Sequence, residues 1–472
     1  MKLGKLASFA LGPIGTAAVS LVTVPAIAWF FTPDDVGRIA MLQVGISFSL
    51  LVFSLGLDQA YVREYHGHSN TVGLFLACLR PGLTMLLLVL LVQAAWPGAL
   101  AQVLFGETSP TYSGLAALCI VAGFITRFLS LILRMQERGL AFSLSQLLPK
   151  LGFLVVISAI VLLTDQHDLL QLLSAHTAAI VGTTLTLAWN TRHEWHHQTQ
   201  HLNSAQHREL LRFGLPLVLG GLAFWGMTSL DRIFLRHFAS FDDLGLYAVC
   251  TSFAGAATIL QSIFSTLWAP AAYKRLNAGE NPEVILRITD HVLAAVVFMF
   301  AFAGLLSWVL IFLLPTRYHD SQHIVLACLA YPLLYTLSEA SGIGLGIARK
   351  SGIVMIATVA ALCVNIALNA WLVPLHGAAG AASATALAFL VLLVLRTELA
   401  ARHWIPSPRR RLYALAGGCT VLSVAQALAG PHHPATFIAL WGIVLIVSTV
   451  IFRSNLTLLT TWLRTVRSPA TS

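Results

Sequence analysis

The chain reads as an all-α polytopic membrane protein of about 14 transmembrane helices, made of two pseudo-symmetric six-helix lobes and two further C-terminal helices. Three observations predict this. Hydrophobic residues make up 57% of the 472 positions and charged residues 10%, with a mean hydropathy of +0.80, which leaves too little polar surface for a soluble domain. Uncharged runs near the ~20 residues needed to cross a bilayer recur from end to end, and only helices satisfy their backbone there. The sequence also repeats. Residues 31–40 read FTPDDVGRIA and residues 240–248 read SFDDLGLYA, aligning Asp34, Asp35, Gly37 and Ala40 with Asp242, Asp243, Gly245 and Ala248. Basic–aromatic clusters follow both copies (Tyr61, Arg63, Glu64, Tyr65; then Tyr273, Lys274, Arg275), and Glu137-Arg138-Gly139 matches Lys350-Ser351-Gly352. Repeats of this kind imply halves that rock around a shared site.

In order, the spans are predicted at 7–31, 41–62, 72–96, 113–133, 143–164, 169–190, 211–235, 246–270, 288–314, 323–347, 353–373, 378–398, 411–430 and 435–453. The first follows Met1-Lys2-Leu3-Gly4-Lys5; it is too long for a signal-peptide core and lacks an Ala-x-Ala-like cleavage site. The DDVG and DDLG segments are expected to be hairpin turns joining the first and second spans of each lobe. Pro13, Pro25, Pro149 and Pro216 fall within or at the start of spans, where each removes a backbone hydrogen bond. The small-residue run 377–382 opens the twelfth span and reads as a close-packing segment. The longest polar stretch between spans, 191–209, divides the repeats, giving lobes at 1–205 and 206–400 and an extra helix pair at 401–472. Six cysteines lie unpaired in apolar runs and are expected to be buried packing residues.

Orientation follows from Lys and Arg. With a cytoplasmic N-terminus, about 22 of the 28 basic residues fall on the inner side, as the positive-inside rule requires. Both termini are then cytoplasmic. The net charge of +9 reads as a topology signal and an attraction to anionic membrane lipid, not as nucleic-acid binding. Outer loops are short, so no extracellular enzyme domain is expected.

Charges inside spans are the best candidates for function, because a charge at membrane depth is costly unless it faces a cavity or a partner. Arg127 and Lys150 each sit about two turns from the inner end of adjacent antiparallel spans, about 10 Å deep. Arg134 continues the Arg127 face toward the cytoplasm. Such a ladder suits an anionic headgroup, above all a phosphate; the alternative is that the two deep cations snorkel to the interface. Glu339 is the near-equivalent of Arg127 in the second lobe. The two either pair when the inner mouth closes, or Glu339 is hydrogen-bonded within its own lobe. Asp231-Arg232 form a further intramembrane pair with a gating or a structural role, and Arg236 extends its basic face. Asp58 and Asp290 lie near inner span ends and read as interfacial, though either acid is able to bind a coupling proton or cation.

His193, His196, His197 and His201 have helical spacing but sit in a solvated linker without cysteine, so no metal site is expected there. No Walker loop, Gly-x-Ser-x-Gly elbow or His-Glu-x-x-His occurs. No cofactor and no catalytic residue is expected.

Several segments carry a family likeness. Leu11-Gly12-Pro13, FTPDDVGRIA, Gly56-Leu57-Asp58 through Arg63-Glu64-Tyr65, Ser229 through Leu235, Leu244-Gly245-Leu246-Tyr247 and the run 377–382 resemble, in their order, the polysaccharide-transporter family of Wzx-type oligosaccharide flippases. The superfamily also holds multidrug exporters and MurJ lipid II flippases. The resemblance implies two six-helix lobes plus two helices, moving a lipid-linked oligosaccharide across a bacterial inner membrane by alternating access. The implied substrate is an undecaprenyl-pyrophosphate-linked unit of O-antigen, capsule or exopolysaccharide, with other polysaccharide-assembly membrane proteins as possible partners. The first span lacks charge between Lys5 and Asp34, unlike the arginine-bearing first span of MurJ proteins or the acid of many drug exporters. That disfavours a lipid II flippase and, more strongly, a cation-coupled exporter. A membrane glycan polymerase or ligase would need a large outer loop, which the pattern lacks.

Overall fold

Why the chain breaks where it does is set by its glycines and caps. The computed structural model describes residues 3–68, 71–165, 167–196, 203–405 and 409–453. Among the described residues there is no strand. The helices are α1 (Leu3–Phe30), α2 (Pro33–Phe53), α3 (Leu57–Glu64), α4 (Thr71–Ala95), α5 (Ala99–Phe105), α6 (Pro110–Met135), α7 (Gly139–Leu163) and α8 (Leu169–Thr191). They are followed by α9 (Ser204–Phe238), α10 (Phe241–Asn277), α11 (Glu283–Leu306), α12 (Leu310–Leu313), α13 (Ser321–Ile347), α14 (Ser351–His403), α15 (Arg410–Ala429) and α16 (Pro434–Ile451).

Among the described residues, 13 helical segments are long and apolar enough to span a membrane. One of them, α14, has 53 residues, about 80 Å of helix against a ~30 Å hydrocarbon core. It is interrupted at Gly377 (φ 50°, ψ −126°), a conformation open to glycine alone. A methyl at Gly380 would overlap the Leu372 carbonyl, so the two arms reverse with almost no loop. α14 therefore supplies two crossings, and the total is the expected 14. The run 377–382 makes this reversal as well as packing closely.

The repeat is written in the caps. Thr32 and Ser240 accept from the backbone N–H of Asp35 (3.2 Å) and Asp243 (3.0 Å), and each hydroxyl also donates to the same aspartate's carboxylate. Asp34, Asp35, Asp242 and Asp243 thus occupy the first turns of α2 and α10, where negative charge suits the helix dipole. They are helix starts, not the hairpin turns expected from sequence; the turns are the two residues before each helix, Phe31-Thr32 and Ala239-Ser240. At the other end, α6 and α13 close on Glu137 (φ 55°) and Arg349 (φ 56°), non-glycine residues in the left-handed region. The next amide bonds back to Leu133 O (3.0 Å) in one case and Leu345 O (2.8 Å) in the other, the six-to-one bond of a Schellman motif.

The chain divides into two compact units, Met1–Ala248 and Val249–Ser472. In the first, α1 packs on α7, and α6 and α7 both pack on α8. α9 joins this unit through Trp225, whose indole N–H donates to Ser47 Oγ (3.0 Å), and through Gly214 against the backbone of Leu55 and Gly56. The packing boundary thus lies beyond residue 205, where the sequence repeat begins again. The first turns of α2 and α10 also meet inside this unit: a methyl on Gly37 would overlap the Phe241 carbonyl, and one on Gly245 the Pro33 carbonyl.

In the second unit α13 packs on α14 and α15, and α11 on α13 and α16. Trp441 Nε1 donates to Gln426 Oε1 (2.6 Å) and the Gln426 amide to the Gln322 carbonyl (3.3 Å), which fastens the C-terminal helix pair onto α13. All six cysteines are free; five are buried, as expected, and Cys363 is exposed. An apolar run in a membrane protein does not separate inward from lipid-facing positions, which is where that expectation failed for Cys363.

Candidate functional site

In the first unit the helix following the DDVG motif does not run straight. It stops at Phe53, passes through Leu55 (φ 51°) and Gly56 (φ 68°), and restarts as α3. The break carries Asp58 to α6, where Arg127 Nη2 donates to Asp58 Oδ2 at 2.9 Å. Asp58 is 8% exposed, so it is a buried partner of Arg127. The Arg127 side chain stays 34% exposed.

Lys150 is half-buried on α7 and makes no hydrogen bond or ion pair among the described residues. It lies near His176 of α8, whose ring meets Phe153 edge-on at 5.6 Å. An unpaired ammonium within a span costs roughly 2.5–3.5 kcal/mol on insertion scales, so it needs either a wet cavity or an anion. Arg134 is exposed in the last turn of α6. Asp290 is exposed.

Asp231 is fully buried and accepts from the Tyr247 hydroxyl at 2.6 Å. Arg232 donates to Thr228 O (3.5 Å) and stands 5.9 Å from the Tyr247 ring. Both neighbours in sequence therefore meet one residue of α10. Arg236 reaches Gln102 O (3.4 Å) and lies over Phe241, which Arg38 also covers.

In the second unit Glu339 is hydrogen-bonded within that unit. The Ser265 hydroxyl donates to its carboxylate, and Trp268 Nε1 donates to its backbone carbonyl at 3.2 Å. Arg396 and Tyr335 flank the carboxylate; Arg396 donates to Ser338 Oγ (3.1 Å) and lies 5.4 Å from the Tyr335 ring centre. Arg127 and Glu339 thus each find a partner in their own unit. Sequence reasoning missed Arg396, although it falls inside the predicted span 378–398 and its charge was the available signal.

Uncharged polar groups were missed altogether. Thr126 bonds Thr184 (2.8 Å) and Cys119 bonds Thr177 (3.1 Å) between α6 and α8, while Ser341 bonds Thr397 (2.7 Å) between α13 and α14. Asn365 and Asn369, both fully buried on α14, bond each other, and Asn365 donates to Thr385 (3.2 Å) across the Gly377 reversal. Of the histidine cluster, His197 and His201 lie outside the described residues. Among the described residues no group of three His, Cys, Asp or Glu is placed to hold a metal ion.

The sequence profile of the family described as "Polysaccharide biosynthesis protein" matches residues 3–274. The chain belongs to that family. No curated protein matches the chain. Among solved structures, one titled "Lipid II flippase MurJ, inward closed conformation" is similar at a TM-score of 0.70, with 11% identity over 95% of this chain and 99% of that one. An inward-facing multidrug resistance MATE transporter of the MOP superfamily is similar at 0.57, with 15% identity over 87% of this chain and 99% of that one. A multidrug resistance MATE family transporter in an outward-facing conformation is similar at 0.52, with 15% identity over 88% of this chain and 96% of that one. At such identities the likeness is one of fold: this polysaccharide biosynthesis protein is a multi-pass membrane protein with the helical architecture of flippases and exporters.

Proposed function

We propose that the protein translocates a polyprenyl-pyrophosphate-linked oligosaccharide from the cytoplasmic to the outer leaflet by alternating access, for cell-surface polysaccharide assembly in a bacterial inner membrane. The family match over 3–274 is the observation that carries this reading. The charges support it. With both termini cytoplasmic, a headgroup entering from inside meets Arg134 at the end of α6, then Arg127 and the unpaired Lys150. Arg127 would exchange Asp58 for the pyrophosphate, since a diphosphate offers a guanidinium more charge and more acceptors than one carboxylate. Glu339, Asp231, Arg232 and the released Asp58 are the proposed gating or coupling groups. The repeats 1–205 and 206–400 are the proposed moving halves, with 401–472 an added helix pair.

Deletion of the gene followed by lipid extraction tests the proposal. Lipid-linked repeat units trapped on the inner leaflet are expected. The second reading, a cation-coupled multidrug exporter, is favoured by the likeness to the MATE fold. Unchanged lipid-linked sugar together with raised drug sensitivity would select it.

A further inference from the structure

The second unit carries a groove on α10. Leu260, Phe264, Leu267 and Ala271 line up on one face of that helix, at spacings of four, three and four residues. Ile285 and Ile288 of α11 stand opposite, and the space between has a volume of about 440 Å³. Trp268 and Ala272 form its buried floor. Leu260 and Leu267 remain 57% and 56% exposed, so the groove opens along its length. It ends at Arg275. From Leu260 to Arg275 α10 rises about 22 Å, more than the ~15 Å hydrocarbon depth of one leaflet. The guanidinium is loosely held, 4.0 Å from Glu280 with both side chains about half exposed, and is open to an anion.

The equivalent place in the first unit is filled. There the break at Leu55 and Gly56 turns α3 onto α4, and Leu57, Tyr61, Phe75 and Cys78 make a solid core. α10 instead runs unbroken past this place, and its groove lies over the smaller cluster of Trp268, Ala272, Ile285 and Ile343.

We infer that this groove seats the single hydrocarbon chain of the lipid-linked substrate as it is first captured, its phosphate resting at Arg275 before the headgroup passes to Arg127; the inference rests on the flippase reading above. Two helices wall a channel that ends in one cation, which matches a one-chain phosphate lipid better than a two-chain phospholipid. The floor residue Trp268 also holds the Glu339 carbonyl. A chain lying on Trp268 therefore bears on the helix turn that carries the half-buried Glu339, giving the membrane part of the substrate a route to the polar site.

The test is photolabelling of the full chain in lipid nanodiscs with a diazirine-bearing polyprenyl pyrophosphate, the labelled peptides being mapped by mass spectrometry. Label is expected on 260–275 and 285–288. Leu267→Trp, which fills the groove, should lower it about tenfold, equivalent to about 1.4 kcal/mol of binding. Val421→Trp, at an outward position of α15 away from the groove, should leave it unchanged. Arg275→Gln, at an exposed helix end, tests the phosphate contact without disturbing the fold; undiminished labelling in that variant overturns the assignment to Arg275. Label confined to other helices, or displaced equally well by phosphatidylglycerol, overturns the groove as the site of the substrate chain. The gene deletion separates this from the wider reading: trapped lipid-linked sugar with label elsewhere sinks the groove alone, whereas unchanged lipid-linked sugar sinks the flippase.

Discussion

The two helices that begin with the DDxG motif start alike and end differently. α2 and α10 share a hydroxyl N-cap, an aspartate pair in the first turn and a glycine pressed against backbone. Then α2 breaks at Leu55 and Gly56, while α10 continues for 37 residues through Pro270. The break delivers a carboxylate, Asp58, to an arginine on α6. The unbroken helix delivers a hydroxyl, Ser265, to a carboxylate on α13. Both are tethers between the same pair of elements in each repeat, with the charge reversed on the receiving helix. Duplication has preserved the place of the bond and exchanged its chemistry.

That contrast can be broken at its hinge. Gly56→Ala should have the largest effect, because it combines a left-handed φ with overlap onto the Gly214 carbonyl; a loss of about 2–5 kcal/mol is expected, read as a fall in the melting temperature of the detergent-solubilised protein. Gly255→Ala on α10, with open space around it, should show no such fall. Next come the tethers. Asp58→Asn leaves Arg127 without its acid and should cost about 1–3 kcal/mol and most surface polysaccharide. The double reversal Asp58→Arg with Arg127→Asp should restore part of what each single reversal loses, and reversal of Arg127 with Glu339 should not; polysaccharide staining of complemented deletion strains decides between them. Ser265→Ala removes a neutral donor and is expected to cost only about 0.5–1.5 kcal/mol. Smallest are the interhelical hydroxyl pairs: Thr184→Val and Thr397→Val should each lower stability by about 0.6 kcal/mol, and a large asymmetry between them would show that the two lobes are not equally packed.

Much of the architecture was legible in the sequence because the membrane enforces it. Hydropathy placed most of the spans, including the division between α7 and α8 near residue 165, and the Asp–Gly offsets registered the repeats; the span expected at 41–62 instead begins at Pro33, breaks after Phe53 and resumes as α3. What hydropathy does not encode is backbone handedness. Nothing in the run from Phe53 to Asp58 says that a leucine will adopt a positive φ, and so nothing there announces that Asp58 will meet Arg127. A filter that searched for charge also passed over Asn365, Asn369 and the threonine pairs, whose polarity becomes visible only when burial is known. Arg396 shows the opposite failure: its charge was visible, but its position near a span end made it look like one more inner-side cation.

Gly377 has a consequence for the whole chain. Because this residue folds α14 into two arms, the described helices offer an even number of segments able to cross a bilayer, the parity that the proposed cytoplasmic placement of both termini requires. Were the position to take ordinary helical angles, the parity would become odd. The basic residues at 409–411 would then be carried to the opposite face, against the charge asymmetry that governs insertion. The sidedness of the last two helices thus hangs on the absence of one side chain.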